Sequence, residues 1–241
     1  MPDLVTWLGE CDSALTPAGE LRMVLPDRRF SPDALRRDTG IADVLAAFVQ
    51  RARRPLVREV LDFFLHDAPM IDRTRLYRGT FDLATLRPRW TVEQALSFAR
   101  RVRDLPDHYE DVHCWAFTPK SFAQLMHVLA DNGLTRLRCS AFHDSRAPWF
   151  EFFVFLRPSD DRAAVTASWR HMAETAHDPL PGSGAAAAIE AERERLARLQ
   201  RDLDARTRDL HAAQARIAGM EASSSWRITA PLRALGRALR R

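Results

Sequence analysis

The first apolar residues of the chain recur every three or four positions, which predicts a helix over residues 4–15. The breaker sequence TPAG (16–19) ends that pattern. The apolar run LRMVL (21–25) then predicts a short buried strand, and the polar residues PDRR (26–29) follow its carboxyl end. Polar groups beyond the end of a strand mark the usual place of a ligand site in an α/β sheet. The helical face consists of Leu4, Leu8, Cys11 and Leu15.

Residues 28–90 lack the alternation that is typical of strands, and they predict a helical insertion between elements of the sheet. One helix is predicted around residues 41–49. Pro55 interrupts the helical pattern, which resumes in LVREVLDFFLH (56–66).

Two further helices carry recognisable start signals. Thr91 and Gln94 have the spacing of a capping box, with an apolar stripe behind them. Thr118 is a good N-cap residue, and Pro119 occupies the first helical position after it. The glycine of the pair Asn-Gly at 132–133 ends this last helix.

Two strands are predicted after these helices. The segment TRLRCSAF (135–142) alternates between apolar and polar residues, as a half-exposed or edge strand does. The segment WFEFFVFL (149–156) is almost entirely apolar, which predicts a strand that is covered on both faces. The short connection HDSRAP predicts a hairpin between them. The buried side of the first strand is predicted to hold Leu137, Cys139 and Ala141.

The composition changes after the last strand. Residues 158–184 predict a linker with a short helical piece around Trp169, because they contain clustered proline, glycine and charged residues. Residues 1–157 would then form the folded domain.

A heptad pattern follows over residues 185–222 and predicts a coiled coil with itself or with another coiled-coil protein. The alternatives are a single helix stabilised by charge pairs and a helix packed on its own domain. The a positions are apolar and the d positions are mixed. The a positions hold Ile189, Leu196, Leu203, Leu210 and Ile217, and the d positions hold Glu192, Leu199, Arg206, Ala213 and Met220.

Composition narrows the class of protein. The chain is 46% hydrophobic with no run of eighteen apolar residues, and its N-terminus lacks the pattern of a signal peptide. Its three cysteines are far apart in sequence, which predicts reduced thiols in a cytoplasmic protein rather than disulfides or a metal site.

The net charge of +4 is concentrated in the tail, residues 223–241, which contain no acidic residue. This tail predicts a basic amphipathic helix that docks on a partner or on an anionic membrane surface, at the inner face of the membrane. The alternative is a disordered basic end. No motif indicates specific binding of nucleic acid. The residues expected to make the contact are Trp226, Arg227, Arg233 and Arg237.

Several motifs in order resemble the later half of a class I S-adenosylmethionine-dependent methyltransferase, in a bacterial subgroup associated with polysaccharide biosynthesis. They are LTPAGELRMVLPD (15–27), then Phe30 and Asp33, then DVHCWAFTPKSF (111–122), and finally EFFVFL (151–156). The resemblance implies a truncated Rossmann-like α/β sheet of strands five, six and seven with a helical insertion. In that fold the final strand is inserted centrally and is antiparallel, which leaves strand five as an unpaired edge.

The resemblance implies S-adenosylmethionine as the cofactor, but its binding motif is missing from this sequence. Such enzymes cradle the cofactor with a glycine-rich turn after the first strand. The only G-x-G here is residues 182–184, in the predicted linker, and Ala18 stands where the strand-five motif usually has glycine. We therefore expect these 241 residues alone to be inactive, as a fragment, a mis-assigned start, half of a split gene or a decayed paralogue would be.

Candidate functional residues lie in two segments of the sequence. Asp27, Arg28 and Arg29 follow the first strand and are candidates for substrate contact, the alternative being a solvated turn. His113 is a candidate general base and Trp115 a candidate substrate contact; the alternative for His113 is a packing role. Asp111 is near His113 in sequence but need not face it, and His113-Cys114 lacks zinc-ligand spacing.

Two functions follow from these observations. The first is a methyltransferase-like protein of cell-surface glycan biosynthesis, with a glycan acceptor, since the tail SWRITAPLR (225–233) is similar to segments of bacterial glycosyltransferases. The second is a non-catalytic coiled-coil or membrane-peripheral scaffold that carries a remnant methyltransferase domain.

Overall fold

The computed structural model describes residues 1–69, 72–78, 80–177 and 185–228. The chain divides into two compact units, Met1–Ala187 and Ala188–Arg241. Short 3-10 turns at Arg28–Phe30, Pro32–Leu35 and Leu83–Thr85 connect the elements. The helices and strands, in chain order, are α1 Leu4–Ala14, β1 Leu21–Pro26, α2 Ile41–Val49, α3 Val57–His66, α4 Arg73–Tyr77, α5 Val92–Asp104, α6 Pro119–Asp131, β2 Leu137–His143, β3 Glu151–Pro158, α7 Arg162–Thr175, α8 Ala185–Ala222 and α9 Ser224–Ile228.

The three strands form one antiparallel sheet in the order β1-β3-β2. The prediction of a mixed α/β protein whose last strand lies in the centre is confirmed. The predicted hairpin between β2 and β3 is also confirmed, and β1 is an edge strand among the described residues. An edge strand presents a row of backbone groups to a further strand.

The prediction that β3 is covered on both faces is wrong. Phe152 and Val154 are fully buried, whereas Phe153, which points to the opposite face, is 40% exposed. Beside it, Val24 of β1 is also exposed. The core lies on one face of the sheet, so the apolar run in β3 reflects a central position more than burial of both faces.

The prediction of a linker over residues 158–184 is wrong for residues 162–175, which form helix α7. Val165, Trp169 and Met172 recur at i, i+4 and i+7, and all three are buried against the sheet. The Trp169 ring meets Phe122 of α6 edge to face, and its Nε1 donates to the carbonyl oxygen of Leu137 at 2.8 Å. Residues 162–175 therefore belong to the folded unit, and residues 178–184 lie outside the described residues.

The predicted alternation of β2 is wrong beyond Cys139, because the strand contains a register shift. The pairing with β3 shifts between Cys139 and Ala141, as in a β-bulge. Ala141 is therefore exposed, and Phe142 packs against the core in its place.

The helical insertion has its own small core. Val60 and Phe64 of α3 pack against the apolar stripe of α5, and the rings of Phe64 and Phe98 stack at 3.9 Å. The capping box of Thr91 and Gln94 is formed as predicted, with donor–acceptor distances of 2.9 and 3.2 Å. The start of α6 at its N-cap and proline is confirmed, as is its end at a glycine with φ of 70°.

The second unit contains most of α8, a helix of 38 residues in total, as the heptad pattern predicts. Six apolar residues of its seam are more than half exposed, so association through this seam stays a prediction. Of the tail residues, Trp226 lies in α9 and is 43% exposed. The side chain of Arg227 lies outside the described part of the chain, as do Arg233 and Arg237. The exposed seam residues are Leu196, Leu199, Leu203, Leu210, Ile217 and Met220.

Candidate functional site

The turn after β1 contains a buried ion pair. The Asp27 carboxylate is fully buried and accepts from Arg29 Nε at 2.9 Å, from Arg29 Nη2 at 2.6 Å and from Ser145 Oγ at 2.8 Å. Arg29 is only 4% exposed. The structure therefore places these two sequence-predicted candidates in the interior, where they hold the turn, rather than facing a ligand or solvent.

Arg28, the third candidate of this turn, lies nearer the surface. Its guanidinium binds both carboxylate oxygens of Asp38, at 2.6 and 3.3 Å. Its backbone N–H donates to the carbonyl oxygen of Phe117 at 2.9 Å. The first 3-10 turn, Arg28–Phe30, is thereby held against the residues that precede α6.

His113 is paired with a carboxylate that lies 80 residues earlier in the chain. Its Nδ1 lies 2.7 Å from Oδ2 of Asp33, which is 2% exposed in the turn after β1. About half of the His113 side chain is exposed. Asp111 is not the partner in this pair. In the sequence, Asp33 stands out only because it matches the methyltransferase motif. That match assigns no role to Asp33.

The pair perturbs the pKa of both groups. The hydrogen bond that His113 donates to Asp33 raises the pKa of His113 above its ordinary value, and it outweighs burial, which acts to lower that pKa. Burial acts to raise the pKa of Asp33, but the bond from His113 and the charge of Arg36 hold that pKa below the usual range. With Nδ1–H directed at a carboxylate, the neutral imidazole has its lone pair on Nε2.

Arg36 connects the His113–Asp33 pair to helix α3 through hydrogen bonds. It is 3% exposed, and its Nη1 donates to Asp33 Oδ1 at 2.9 Å and to the carbonyl oxygen of His113 at 2.7 Å. Its Nε donates to Asp62 of α3 at 2.8 Å. One guanidinium therefore fixes three chain segments at once. Sequence reasoning missed Arg36, because its partners are distant in the chain.

A cavity of about 210 Å³ lies between α2, α3 and the segment around Trp115; we call it the α2–α3 cavity. Trp115, the sequence-based candidate for substrate contact, is among its lining residues, and its Nε1 donates to the carbonyl oxygen of Met1 at 3.0 Å. The full lining consists of Arg36, Arg37, Asp38, Thr39, Gly40, Asp43, Arg58, Glu59, Asp62, Cys114 and Trp115.

Two buried ionisable groups line the α2–α3 cavity. Glu59 is 5% exposed and accepts from the backbone N–H of Leu56 at 2.7 Å, and burial raises its pKa to about 7. Burial also raises the pKa of the Cys114 thiol to about 12, so Cys114 stays protonated at neutral pH and is a poor nucleophile. Glu59 is a group that sequence reasoning did not single out.

The glycine-rich turn that holds S-adenosylmethionine in the methyltransferase family has no counterpart among the described residues. Within the described ranges, no strand leads into a glycine-rich turn, and the G-x-G at 182–184 falls outside them. The same residues contain no group of three or more side chains suited to a metal ion. No helix in the described part of the chain is both long enough and apolar enough to cross a membrane.

Comparison of the chain with known protein families, with curated protein sequences and with solved structures gives no match.

Proposed function

We propose that the first unit is the acceptor side of a Rossmann-like, class I methyltransferase-type domain, and that it acts on a sugar hydroxyl of a cell-surface glycan. The His113–Asp33 pair is the observation that carries this proposal. Asp33 lies in the turn beyond the carboxyl end of β1, where α/β folds place ligand sites. The sheet order β1-β3-β2 supports the proposal, because the methyltransferase family that the chain resembles has its last strand in the centre of the sheet.

The chemistry assigned to the pair is removal of a proton. A hydroxyl of the acceptor gives its proton to Nε2 of His113, and its oxygen gains the negative charge that makes it a nucleophile. Asp33 keeps Nδ1 as the donor and stabilises the imidazolium that forms. Since the glycine-rich turn for S-adenosylmethionine has no counterpart among the described residues, no step through the methyl donor is assigned to them.

Chemical protection of His113 tests the acceptor part of the proposal. Diethyl pyrocarbonate modifies neutral imidazole, and mass spectrometry separates His113 from the exposed control residue His171. We expect methyl glycosides of glucose, mannose and rhamnose to slow the modification of His113 and to leave His171 unchanged. If none of the glycosides protects His113, the proposal fails.

Calorimetric titration tests the cofactor part. We expect no measurable binding of S-adenosylmethionine by the 241 residues. Micromolar binding would show that they contain a cofactor site.

The exposed seam of α8 favours a second candidate function, that of a scaffold. Leu196, Leu203 and Leu210 follow each other at heptad spacing, and each is more than half exposed. Such a seam is stabilised by burial against a second helix. In this proposal the chain associates with itself through α8, and its basic tail adds weak attachment to an anionic membrane from the cytoplasmic side.

A further inference from the structure

We propose that the α2–α3 cavity binds one neutral hexose ring of the glycan acceptor. This inference rests on the proposed function, and it goes further by naming the ligand class and the residues that contact it. Three observations support it: the size of the cavity, the balance of charge along its lining, and the aromatic ring of Trp115 among the lining residues.

The size of the cavity selects a small ligand. Its volume of about 210 Å³ lies below the roughly 300–1,000 Å³ of pockets that hold drug-sized molecules. A single sugar ring suits this space, whereas a nucleotide or a nucleoside cofactor does not.

The charge of the lining selects a neutral ligand. Arg36, Arg37 and Arg58 supply three guanidinium groups, which face four carboxyl groups. One of those four, Glu59, is half protonated near pH 7 because burial raises its pKa to about 7. Positive and negative charges are therefore close to balanced, so neither a phosphate nor a cation is favoured. The four carboxyl groups belong to Asp38, Asp43, Glu59 and Asp62.

The same lining offers hydrogen-bond donors and acceptors side by side. Arg58 is paired with Asp43, and Arg36 is paired with Asp62 at 2.8 Å. A sugar hydroxyl donates to a carboxylate while it accepts from a guanidinium, so an adjacent donor and acceptor match a polyhydroxylated ring. Trp115 adds an apolar ring surface with a polar edge, which suits the C–H groups of a sugar.

Arg58 and Arg103 provide a matched pair of variants for the test. Both are arginines on helices, both bind a neighbouring aspartate, and their side chains are 65% and 63% exposed. Only Arg58 lines the cavity. Arg58→Ala thus removes a proposed sugar contact, and Arg103→Ala removes an equivalent pair elsewhere on the molecule.

The experiment is saturation-transfer and chemical-shift NMR of the full chain with methyl α-D-glucoside, methyl α-D-mannoside, methyl α-L-rhamnoside and inorganic phosphate. For a ligand of this size we expect a Kd of roughly 1 mM for at least one glycoside. Arg58→Ala should weaken it about fivefold, as loss of a charge-assisted hydrogen bond does, and Arg103→Ala should leave it unchanged. The inference is overturned if no glycoside binds, if both variants bind alike, or if phosphate binds more tightly than every glycoside.

The imidazole signal of His113 in the same titration separates this inference from the proposed function. Glycoside binding that depends on Arg58 and shifts the His113 signal supports both. Glycoside binding that depends on Arg58 but leaves His113 unshifted supports the cavity as a sugar site and contradicts the role of His113 as the base.

Discussion

The buried pair of Asp27 and Arg29 gives the sharpest stability prediction. Asp27→Asn keeps the shape of the side chain but removes the negative charge that faces a guanidinium with only 4% exposure. The Asp27 carboxylate accepts five hydrogen bonds, two to Oδ1 from the backbone N–H and Nε of Arg29, two to Oδ2 from Nε and Nη2 of Arg29, and one from Ser145. The substitution therefore removes the negative charge that Asp27 supplies to this buried cation.

The expected loss follows from this geometry. Breaking a buried ion pair by removing one partner costs about 3–5 kcal/mol, and we expect about 3 kcal/mol here because asparagine retains one acceptor. That is a large share of the roughly 5–15 kcal/mol that stabilises a typical domain. Urea unfolding followed by tryptophan fluorescence measures it, since Trp169 is fully buried in the same unit.

Two control variants make this result specific. Asp104→Asn breaks the exposed pair with Arg103 and should not measurably change the free energy of unfolding. Combining Asp27→Asn with Arg29→Met should recover part of the loss, because the buried guanidinium is then removed together with the carboxylate that it pairs with. If Asp27→Asn is as stable as Asp104→Asn, the pair does not hold the turn and the reasoning is refuted.

Three further predictions concern pH, association and membranes. The folded-state pKa of Glu59 is about 7, above its usual 4.5, so the free energy of unfolding should fall between pH 4.5 and 7 by up to about 3 kcal/mol. In urea unfolding, Glu59→Gln should abolish this dependence of the free energy of unfolding on pH. If the variant keeps the same pH dependence, the role given to Glu59 is contradicted. Sedimentation should show an oligomer that Leu203→Lys with Leu210→Lys reduces to a monomer, while Ala205→Lys with Ala212→Lys outside the seam does not; a monomeric parent chain would contradict this. The full chain should co-sediment with phosphatidylglycerol vesicles more than with phosphatidylcholine vesicles, and equal binding to both would oppose electrostatic attachment.

Local signals in the sequence predicted much of the fold. Three signals at helix ends depend only on neighbouring residues, and each lies where the sequence predicts it. They are the capping box at Thr91, the N-cap at Thr118 and the glycine at 133 that ends α6. These features depend on a few neighbouring residues, so periodicity and propensity reveal them.

Features set by distant contacts were missed or misplaced. Helix α7 was assigned to a linker because its buried face, centred on Trp169, is sparse and lies among charged residues. The shift between Cys139 and Ala141 comes from pairing with β3, and no local sequence signal marks it.

The candidate site shows the same division between local and distant information. His113 and Trp115 were chosen from the sequence, and the structure places Trp115 at a cavity and His113 beside a carboxylate. Asp33 and Arg36 were not assigned roles, because 80 and 77 residues separate them from His113. Asp27 was read as facing outward because the strand-end rule gives the end of the sheet but not the direction of a side chain.

Titration of His113 by NMR in three proteins tests the proposed base directly. In the parent chain the pKa of His113 should lie above its ordinary value, and the stabilising pair with Asp33 should be lost as the pH rises through that pKa. Asp33→Asn should lower the pKa of His113, and Asp111→Asn should leave it unchanged. If Asp33→Asn has no effect, or if Asp111→Asn lowers the pKa as much, His113 is not held by Asp33 and the proposed base does not exist.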